Sequence, residues 1–485
     1  MFMALKNKKN ENFSEWYTEI TGEKGAKLVD MRYGVQGFVP HRPWAVKIIR
    51  NFEALLENAV ERDGYNPILL PVLIPEENIK KEKEHVQFSP ELFWVERMGN
   101  NKLEVPLYLR PTGESQIYPL YSLWIRSWKD LPWKNYQSRI MTYRGEPTTR
   151  PFLRGREFIF FETHAVFATH EEVMKQVNKD MEIASKVITD ELGLPFLFFK
   201  RPSWDKFAGA DNTYAADCLM PDGRVNQIAS THDLGQRFAK AYDVKFIDQN
   251  ETSQFGYQTC FGPGIWRIMA ALISVHGDDY GLVLPFQVAP VQIAIVPIVF
   301  EKSDKKVDNK CRELEKKLSK HFRVKYDNSD NKPGWKYNEW EMLGAPIRIE
   351  VGPKEVKAKK VTLVRRDTRK KEIISERQLE KKIKSYEKAL LKTITEKADS
   401  FLHSNIRQVG SFEQLVKLLN TERGLVKAKF CTLEKGGEKC ADKIQRATDG
   451  GKVRGKLFDD NSKTNGKCVV CGAKANVVVY VAKSY

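Results

Sequence analysis

The chain has 485 residues and a mass of 56.0 kDa, which is too long for one ordinary core and predicts two or three domains. Its 41% hydrophobic and 11% aromatic content is typical of a globular protein and excludes a disordered chain. The 80 basic residues exceed the 63 acidic ones, for a net charge of +17. Such an excess favours a polyanionic partner, although a soluble protein that is merely basic would show it too.

No apolar run reaches the roughly 18 to 20 residues that a membrane span needs. The longest, 288–300, is interrupted by Pro290, Gln292 and Pro297 and predicts a buried strand instead. The amino end places its few apolar residues before its lysines, unlike a secretory signal. Seven cysteines in such a chain indicate free thiols or metal ligands in a reducing compartment. We therefore expect a cytoplasmic protein with no membrane partner.

The first 285 residues combine strand and helix patterns. A helix is predicted over 43–60, and a β-like run follows at 68–74. Further strands are predicted near 107–110, 138–144 and 158–167, and a helix is predicted over 171–191, before Gly193 and Pro195. Separated strands with helices between them, without strict alternation, predict a mixed and mostly antiparallel sheet.

The pattern changes near residue 285. Over 288–369 it predicts a compact α/β domain, with a strand at 292–300, a helix at 306–320, and strands near 323–326, 347–351 and 360–365. A charged helix is predicted over 376–400. Residues 351–400 hold 16 Lys and Arg against 8 Asp and Glu, which is about half of the net charge, although a solvated helix face would look the same. The last 85 residues contain four of the seven cysteines and predict a third, small unit.

The segment 143–164, YRGEPTTRPFLRGREFIFFETH, places Arg144 and Glu146 two residues apart at the end of a predicted strand. Side chains two apart on a strand share a face, so both are expected to point into one pocket. An arginine can hold an anionic oxygen in its fork, and a glutamate can accept from an amino group. A surface Arg/Glu ladder across two strands is the alternative.

Residues 262–267, GPGIWR, predict a glycine-bounded turn into an apolar helix over 268–275, with Arg267 at its head. With this stretch the sequence resembles the class II aminoacyl-tRNA synthetases, because all three class motifs occur in order. Residues 64–75 resemble motif 1, with Pro71 as its proline; residues 144–158 resemble motif 2, and residues 262–267 resemble motif 3. The resemblance covers nearly the whole chain.

The resemblance implies an α+β multidomain fold. A class II antiparallel sheet with helices would occupy 1–285, an α/β anticodon-binding domain with a linking helix 286–400, and a small zinc-type domain 401–485. Motif 1 forms the dimer interface in this class, so a homodimer is expected.

Other segments are similar to the prolyl-tRNA synthetases of the archaeal and eukaryotic type. LRPTGESQIYPLY at 109–121 resembles their Thr-x-Glu element, and 206–217 and 227–238 resemble the neighbouring pocket and ATP elements. HGDDYGLVLP at 276–285 resembles the exit from their catalytic domain. The resemblance implies that the chain activates L-proline with ATP and transfers it from prolyl-adenylate to the 3′ end of tRNA(Pro).

The same resemblance implies residue roles. Proline's two ends and its ring would be held by Thr112, Glu114, Arg144, Phe160, Glu162, His164, Phe207 and His232. ATP would be bound by Arg144, Glu146, Arg154, Phe158, Gln227, Ser230 and Arg267. Catalysis would depend on Arg144, Arg267 and Glu146. Phe160 and Phe207 are each either substrate contacts or plain core. Where related enzymes often carry Thr before the motif 3 arginine, this chain has Ile265 and Trp266, a departure that affects one expected nucleotide hydrogen bond.

The chemistry agrees with this residue set. Proline's carboxylate must attack the α-phosphate, which brings two anions together, and two arginines with Mg²⁺ would reduce the repulsion. The reaction requires no side-chain nucleophile, and the sequence suggests none.

The middle segment 332–355, KPGWKYNEWEMLGAPIRIEVGPKE, resembles the anticodon-binding domain that several class II synthetases share. A basic α/β module of another use is the alternative. Lys336, Arg348 and Lys354 are candidate RNA contacts, since basic side chains bind phosphate.

The tail contains Cys431, Cys440, Cys468 and Cys471. Two residues between the last pair let both thiolates face one tetrahedral ion, which predicts half of a zinc site. Unliganded cysteines are the alternative. The tail resembles the C-terminal zinc domain of the archaeal and eukaryotic type, in which the first spacing varies, the zinc is structural and the terminal tyrosine turns back toward the catalytic domain.

The sequence argues against two other functions. A threonine enzyme would need zinc ligands in its catalytic site, and only the isolated Cys218, Cys260 and Cys311 precede Cys431. A catalytically inactive synthetase-like tRNA-binding or regulatory protein would be expected to lose Arg144 or Arg267, and both are present. About a hundred residues separate motif 2 from motif 3, which leaves no room for the editing insertion that bacterial-type prolyl enzymes carry there.

Overall fold

The structure is a computed structural model and describes residues 5–86, 91–299, 304–460 and 464–485. Within these ranges the strands form one 11-stranded sheet, one 5-stranded sheet and two small sheets of three and two strands. The first four residues of the amino end, which entered the prediction about a signal, lie outside the described residues, as does Phe300.

The region before residue 285 contains seven α-helices and twelve strands among the described residues. The helices are α1 (Phe13–Thr21), α2 (Pro43–Arg62), α3 (Glu76–Val86), α4 (Glu114–Trp124), α5 (His170–Ala184), α6 (Arg237–Tyr242) and α7 (Ile265–His276). The strands are β1 (Asn66–Pro67), β2 (Leu73–Pro75), β3 (Trp94–Met98), β4 (Asn101–Leu109), β5 (Trp133–Tyr143), β6 (Glu157–Phe167), β7 (Leu197–Lys200), β8 (Asn212–Leu219), β9 (Val225–Gly235), β10 (Lys245–Ile247), β11 (Ser253–Phe255) and β12 (Tyr257–Pro263).

The predicted mixed, mostly antiparallel sheet is confirmed. Its amino-terminal part runs β1-β5-β6-β12-β9-β8-β7, and only the short β1 pairs in parallel there. Apolar side chains of α2, α5 and α7 pack on one face of this sheet and form the largest core. The other face carries the cavity described below.

Two local predictions need correction. The apolar run 68–74 is not one strand, because β1 ends before it and only its last two residues belong to β2. Pro71 has no N–H to donate to a ladder. The predicted helix 171–191 is α-helical only to Ala184 and continues as a π-helical turn over Ser185–Glu191. The wider turn changes the spacing of side chains in a way that an apolar period does not reveal.

The next region has the predicted α/β order. Its strands are β13 (Ile293–Pro297), β14 (Val324–Tyr326), β15 (Ile347–Val351), β16 (Lys360–Arg365) and β17 (Lys371–Ser375), in the order β14-β13-β15-β16-β17. The helices are α8 (Lys305–Leu318), α9 (Pro333–Met342), α10 (Pro353–Ala358) and α11 (Leu379–Ser404). The charged helix therefore begins three residues later than predicted, after a 3₁₀ turn at Glu376–Gln378.

The tail contributes α12 (Phe412–Thr421), α13 (Glu438–Ala447), β18 (Ile406–Gln408), β19 (Leu425–Phe430), β20 (Gly451–Leu457) and β21 (Val477–Lys483). It is less separate than the cysteine pattern suggests. Strand β20 pairs with β7 through Lys456 opposite Lys200 and Leu457 opposite Phe199, so the tail extends the large sheet. This edge pairing brings the end of the tail beside the cavity.

Candidate active site

A cavity of about 600 Å³ lies over β6, β8, β9 and β12 of the large sheet. Every residue predicted to hold proline or ATP lines it: Thr112, Glu114, Arg144, Glu146, Arg154, Phe158, Phe160, Glu162, His164, Phe207, Gln227, Ser230, His232 and Arg267. The sheet assembles them because β6, β12 and β9 are adjacent, although they are far apart in sequence.

One end of the cavity is cationic. Arg144 lies just beyond the last residue of β5, and its guanidinium is largely exposed, with Nε 3.9 Å from Glu146 Oε1. Arg154 donates to Glu146 Oε2 at 2.9 Å. Arg144 and Glu146 do share one cavity, as predicted, but they do so from the connecting loop and not from the strand face.

Arg267 closes this end from the first turn of α7. Its Nη1 donates to the Gln227 main-chain oxygen at 3.3 Å. Burial, together with the charges of Arg154 and Arg144, lowers the pKa of Arg267 to about 10, so the guanidinium stays charged at neutral pH. Three arginines around one carboxylate leave an excess positive charge, which suits a polyphosphate.

The opposite end is built on the Thr-x-Glu element. Thr112 Oγ1 donates to Glu114, and Cys260 donates its thiol hydrogen to Glu114 Oε1 at 3.3 Å. Ligand atoms of Glu114, His164 and Cys260 lie within 4.8 Å of one another. A buried carboxylate among such groups favours the binding of a cation, and the ammonium group of an amino acid is such a cation.

Gly113 allows this element to approach β6. Its N–H donates to Glu162 Oε2 at 3.1 Å, and a Cβ at this position would lie 2.3 Å from Glu162 Oε1. Any larger residue would push the Thr-x-Glu turn away from the sheet.

Glu162 and His164 form a buried pair on β6, with Oε2 3.2 Å from Nε2. Burial opposes both charges, but the pairing outweighs it, raising the pKa of His164 and lowering the pKa of Glu162. The fully buried Arg110 lies nearby and donates to Gln137 Oε1 at 3.1 Å, while Gln137 donates to Glu162 Oε1 at 3.1 Å. This network fixes the floor of the pocket.

His232 is neutral by contrast. Burial, and secondarily the charge of His164, lowers the pKa of His232 to about 3. Its ring nitrogens lie 3.0 Å from Thr213 Oγ1 and 3.0 Å from Ser230 Oγ, and the Phe207 ring packs 4.8 Å from it. Phe160 crosses Phe158 edge to face at 5.9 Å. These rings give the pocket apolar walls beside its charged end.

Ile265 and Trp266, which replace the expected threonine, are buried. The Trp266 ring packs against His41 at 4.5 Å and under Gly155 of the motif 2 loop, where a Cβ would come within 2.8 Å of it. This position therefore supports the motif 2 loop by packing.

Several cavity residues were missed by the sequence reasoning, and the tail supplies four of them: Lys452, Arg454, Ser484 and Tyr485. The Tyr485 main-chain oxygen accepts from Arg154 Nη2 at 2.7 Å, and Arg224 lies over the tyrosine ring. The expectation that the last tyrosine turns back toward this region agrees with these contacts. No local signal marks Arg454, because only the pairing of β20 with β7 brings it here.

The four tail cysteines converge. Their sulfur atoms lie within 4.8 Å of one another, and Cys431 Sγ is 3.8 Å from Cys440 Sγ. Tetrahedral zinc with bonds of about 2.3 Å requires sulfurs about 3.8 Å apart, so the set fits zinc.

Two of the three candidate RNA contacts are buried in the five-stranded-sheet region, so the prediction is wrong for both. Lys336 donates to the Asp327 main-chain oxygen at 2.8 Å, and Arg348 is ion-paired with Glu341 and Glu350, each at 3.0 Å. Both side chains stabilise the fold and offer no charge at the surface. Lys354 is exposed.

Comparisons with known proteins agree with this geometry. Residues 93–276 match the sequence model of the tRNA synthetase class II core domain (G, H, P, S and T), residues 292–386 that of the anticodon binding domain, and residues 412–485 that of the prolyl-tRNA synthetase C-terminal domain. The chain is 51% identical to the proline–tRNA ligase of Thermofilum pendens over 98% of both chains, and 38% identical to that of Pyrococcus abyssi over 100% of both.

The chain belongs to the prolyl-tRNA synthetase family.

Solved members of this family have the same fold. The prolyl-tRNA synthetase of Giardia lamblia in complex with prolyl-adenylate superposes with a TM-score of 0.92 at 34% identity, covering 100% of both chains. The Cryptosporidium parvum prolyl-tRNA synthetase complexed with L-proline and AMP has a TM-score of 0.92 at 29% identity, covering 100% of this chain and 98% of that one. Among the residues that the structure describes, no helix combines the length and apolarity that crossing a membrane requires.

Proposed function

We propose that this chain activates L-proline with ATP and transfers it to the 3′ end of tRNA(Pro). One observation carries the proposal: the ammonium-binding end at Glu114 and the cationic end at Arg144 and Arg267 share one cavity. The Giardia relative is in complex with prolyl-adenylate and the Cryptosporidium relative with L-proline and AMP, which supports the proposal.

In the first step, a carboxylate oxygen of proline attacks the α-phosphorus, and the bond to the β-phosphate oxygen breaks, releasing pyrophosphate. Arg144 would bind proline's carboxylate and the α-phosphate together, which reduces their repulsion as they approach. Arg267 would hold the leaving phosphates, while Glu146 keeps Arg154 in place. Mg²⁺ that enters with ATP would share the phosphate charge, and Phe158 would stack on adenine.

In the second step, a terminal ribose hydroxyl of tRNA attacks the prolyl carbonyl, and AMP leaves with the electron pair of the mixed-anhydride bond. No side-chain nucleophile is needed in either step. The pocket contributes orientation and charge, which suffice for reactions between bound, activated groups.

A catalytically inactive tRNA-binding or regulatory protein is the second candidate. The presence of Arg144 and Arg267 in the same cavity favours the enzyme, because a binding protein has no use for the phosphate end. Proline-dependent exchange of pyrophosphate into ATP by the purified chain tests this difference. Exchange with proline is the expected result, and its absence under saturating ATP and Mg²⁺ would favour the second candidate.

The tail cysteines would hold one structural Zn²⁺. Their sulfur separations support this, and the ion would tie α13 to the loop after β19 and to the Cys-x2-Cys turn before β21. We expect about one zinc per chain by elemental analysis and early melting after chelation. A metal-free protein with unchanged melting would contradict this assignment.

We also propose a homodimer in the cytoplasm. Large apolar side chains are exposed within and after the segment that resembles motif 1, on β2, β3, β4, α4 and the turns around them: Leu69, Leu73, Trp94, Met98, Val105, Leu123, Trp124 and Trp128. Burial of such side chains against a second copy would support a dimer. A monomeric mass at micromolar concentration in light scattering would count against the dimer.

A further inference from the structure

Asp217 carries a buried ion cluster that joins the tail to the nucleotide end of the cavity. It is fully buried on β8, and Arg201, just after β7, donates to it twice, at 2.7 and 3.0 Å. Arg454 of β20 also donates twice to the same carboxylate, at 2.7 and 2.9 Å. Burial alone would raise the pKa of Asp217, but the two guanidinium groups lower it to about 2.

The backbone of β20 directs Arg454 toward this carboxylate. Pairing with β21 shifts register between Val453 and Gly455, so Arg454 is the extra residue of a β-bulge. Bulges redirect side chains. Gly455 has φ +119°, and a Cβ there would lie 2.0 Å from the Lys200 main-chain oxygen, so only glycine lets the bulge approach β7.

The cluster continues into the cavity through one amide. Arg201 Nη2 donates to Gln227 Oε1 at 2.9 Å, which fixes the oxygen of the amide and leaves its NH₂ group as the available donor. Gln227 lines the cavity, and its main-chain oxygen accepts from Arg267. The order of contacts is therefore Arg454, Asp217, Arg201, Gln227.

We infer that Arg454 is a positioning residue for ATP, which acts through Asp217 and Arg201 on the side chain of Gln227. The inference rests on the proposed function, and it gives the tail a role at the catalytic centre besides binding zinc. Without the Arg454 side chain, Asp217 would keep Arg201 as its only bidentate partner, and the carboxylate that orients Arg201 toward Gln227 would no longer be held from the side of the tail. ATP would lose an oriented donor, while the proline end, across the cavity, would keep its contacts.

The test compares Arg454→Met with Arg407→Met in pyrophosphate exchange. Arg407 is a matched control, because it belongs to the same tail but pairs with the exposed Glu422 at 3.1 Å, outside the cavity. We expect Arg454→Met to raise the KM for ATP about ten-fold, as loss of a hydrogen bond to a charged group does, and to leave the KM for proline within about two-fold. Arg407→Met should change neither constant.

A double-mutant cycle tests whether Arg454 acts through Gln227. In a Gln227→Ala background, Arg454→Met should no longer affect the KM for ATP, because the group that it positions is gone. Additive effects, or equal rises in both KM values, would overturn the inference. If Arg454→Met does not fold, Arg454→Lys is the second variant, because lysine keeps the positive charge but cannot make the bidentate hydrogen bonds of a guanidinium group. A smaller, ATP-selective rise is then expected, and an unchanged KM for ATP in that folded variant would refute the proposal. Absence of exchange in the unsubstituted chain would instead count against the proposed function.

Discussion

The cavity and the five-stranded-sheet region use their arginine charges in opposite ways. In the cavity, Arg144, Arg154 and Arg267 surround one carboxylate, so positive charge is left over for a ligand. In the five-stranded-sheet region, Arg348 pairs with two carboxylates, so its positive charge is neutralised within the fold. A basic residue in a sequence therefore indicates a binding site only when its acidic neighbours in space are too few to neutralise it.

The largest expected effect tests the cavity side of this comparison. Arg144→Ala should lower proline-dependent pyrophosphate exchange by several orders of magnitude, on the scale of roughly 10³-fold, since it removes charge from the transition state. The fold should persist, because the side chain is 61% exposed. Arg139→Ala is the control, since this arginine of the same strand pairs with Glu57 outside the cavity. Near-normal exchange in Arg144→Ala would show that another arginine has this role.

The second-largest expected effect tests the five-stranded-sheet region. Arg348→Ala should lower the free energy of unfolding by about 3 kcal/mol, because it removes the buried partner of Glu341 and Glu350 and leaves them only the more exposed Arg369 and Lys371. Urea unfolding of the full chain measures this. Exchange, which needs no tRNA, should stay normal under conditions where the variant is folded. A stable Arg348→Ala variant with a raised KM for tRNA would mean that the buried pairs open to bind RNA, and the contrast between the two regions would fail.

The third effect concerns how well the cavity rejects a smaller amino acid. Alanine fits wherever proline fits, and lost apolar contact gives only about 10²-fold discrimination or a little more. We expect measurable alanine activation. Residues 168–256, between the motif 2 and motif 3 strands, form α5, α6 and strands of the core, which leaves no separate editing module there. Hydrolysis of alanyl-tRNA(Pro) by the purified chain alone would contradict this expectation.

The smallest effect concerns Lys354, the exposed member of the three candidate RNA contacts. Lys354→Ala should weaken tRNA binding less than ten-fold. It should also reduce the slope of log affinity against log salt concentration by roughly one, as expected for the loss of one phosphate contact. Aminoacylation at several salt concentrations measures both. Lys186→Ala is the control, because that exposed lysine pairs with Asp190 in the first region. Equal salt slopes for the unsubstituted chain and Lys354→Ala would remove Lys354 from the RNA interface.

The residues that line the cavity at its two ends could be predicted because their motifs combine residue type with a local geometry. The Thr-x-Glu turn, the motif 2 loop and the head of α7 each present their side chains within a few residues of a strand end. Lys336 and Arg348 have no such constraint. Glu350 shares a strand face with Arg348, but nothing in the local sequence says that this face is buried or that Asp327 and Glu341 lie against these two side chains.

The sequence by itself predicted the class of the fold, the antiparallel sheet, the cavity residues expected to hold proline and ATP, and the cysteine cluster, because periodicity and motif spacing are local properties of a chain. Only the tertiary structure decided that the tail extends the large sheet, that Arg454 and Tyr485 reach the cationic end of the cavity, and which basic residues keep their charge free. The tail residues depend on partners far away in sequence, such as Asp217, which lies 237 residues before Arg454. The neutralisation of a buried charge depends on which elements cover it, so no local pattern records either.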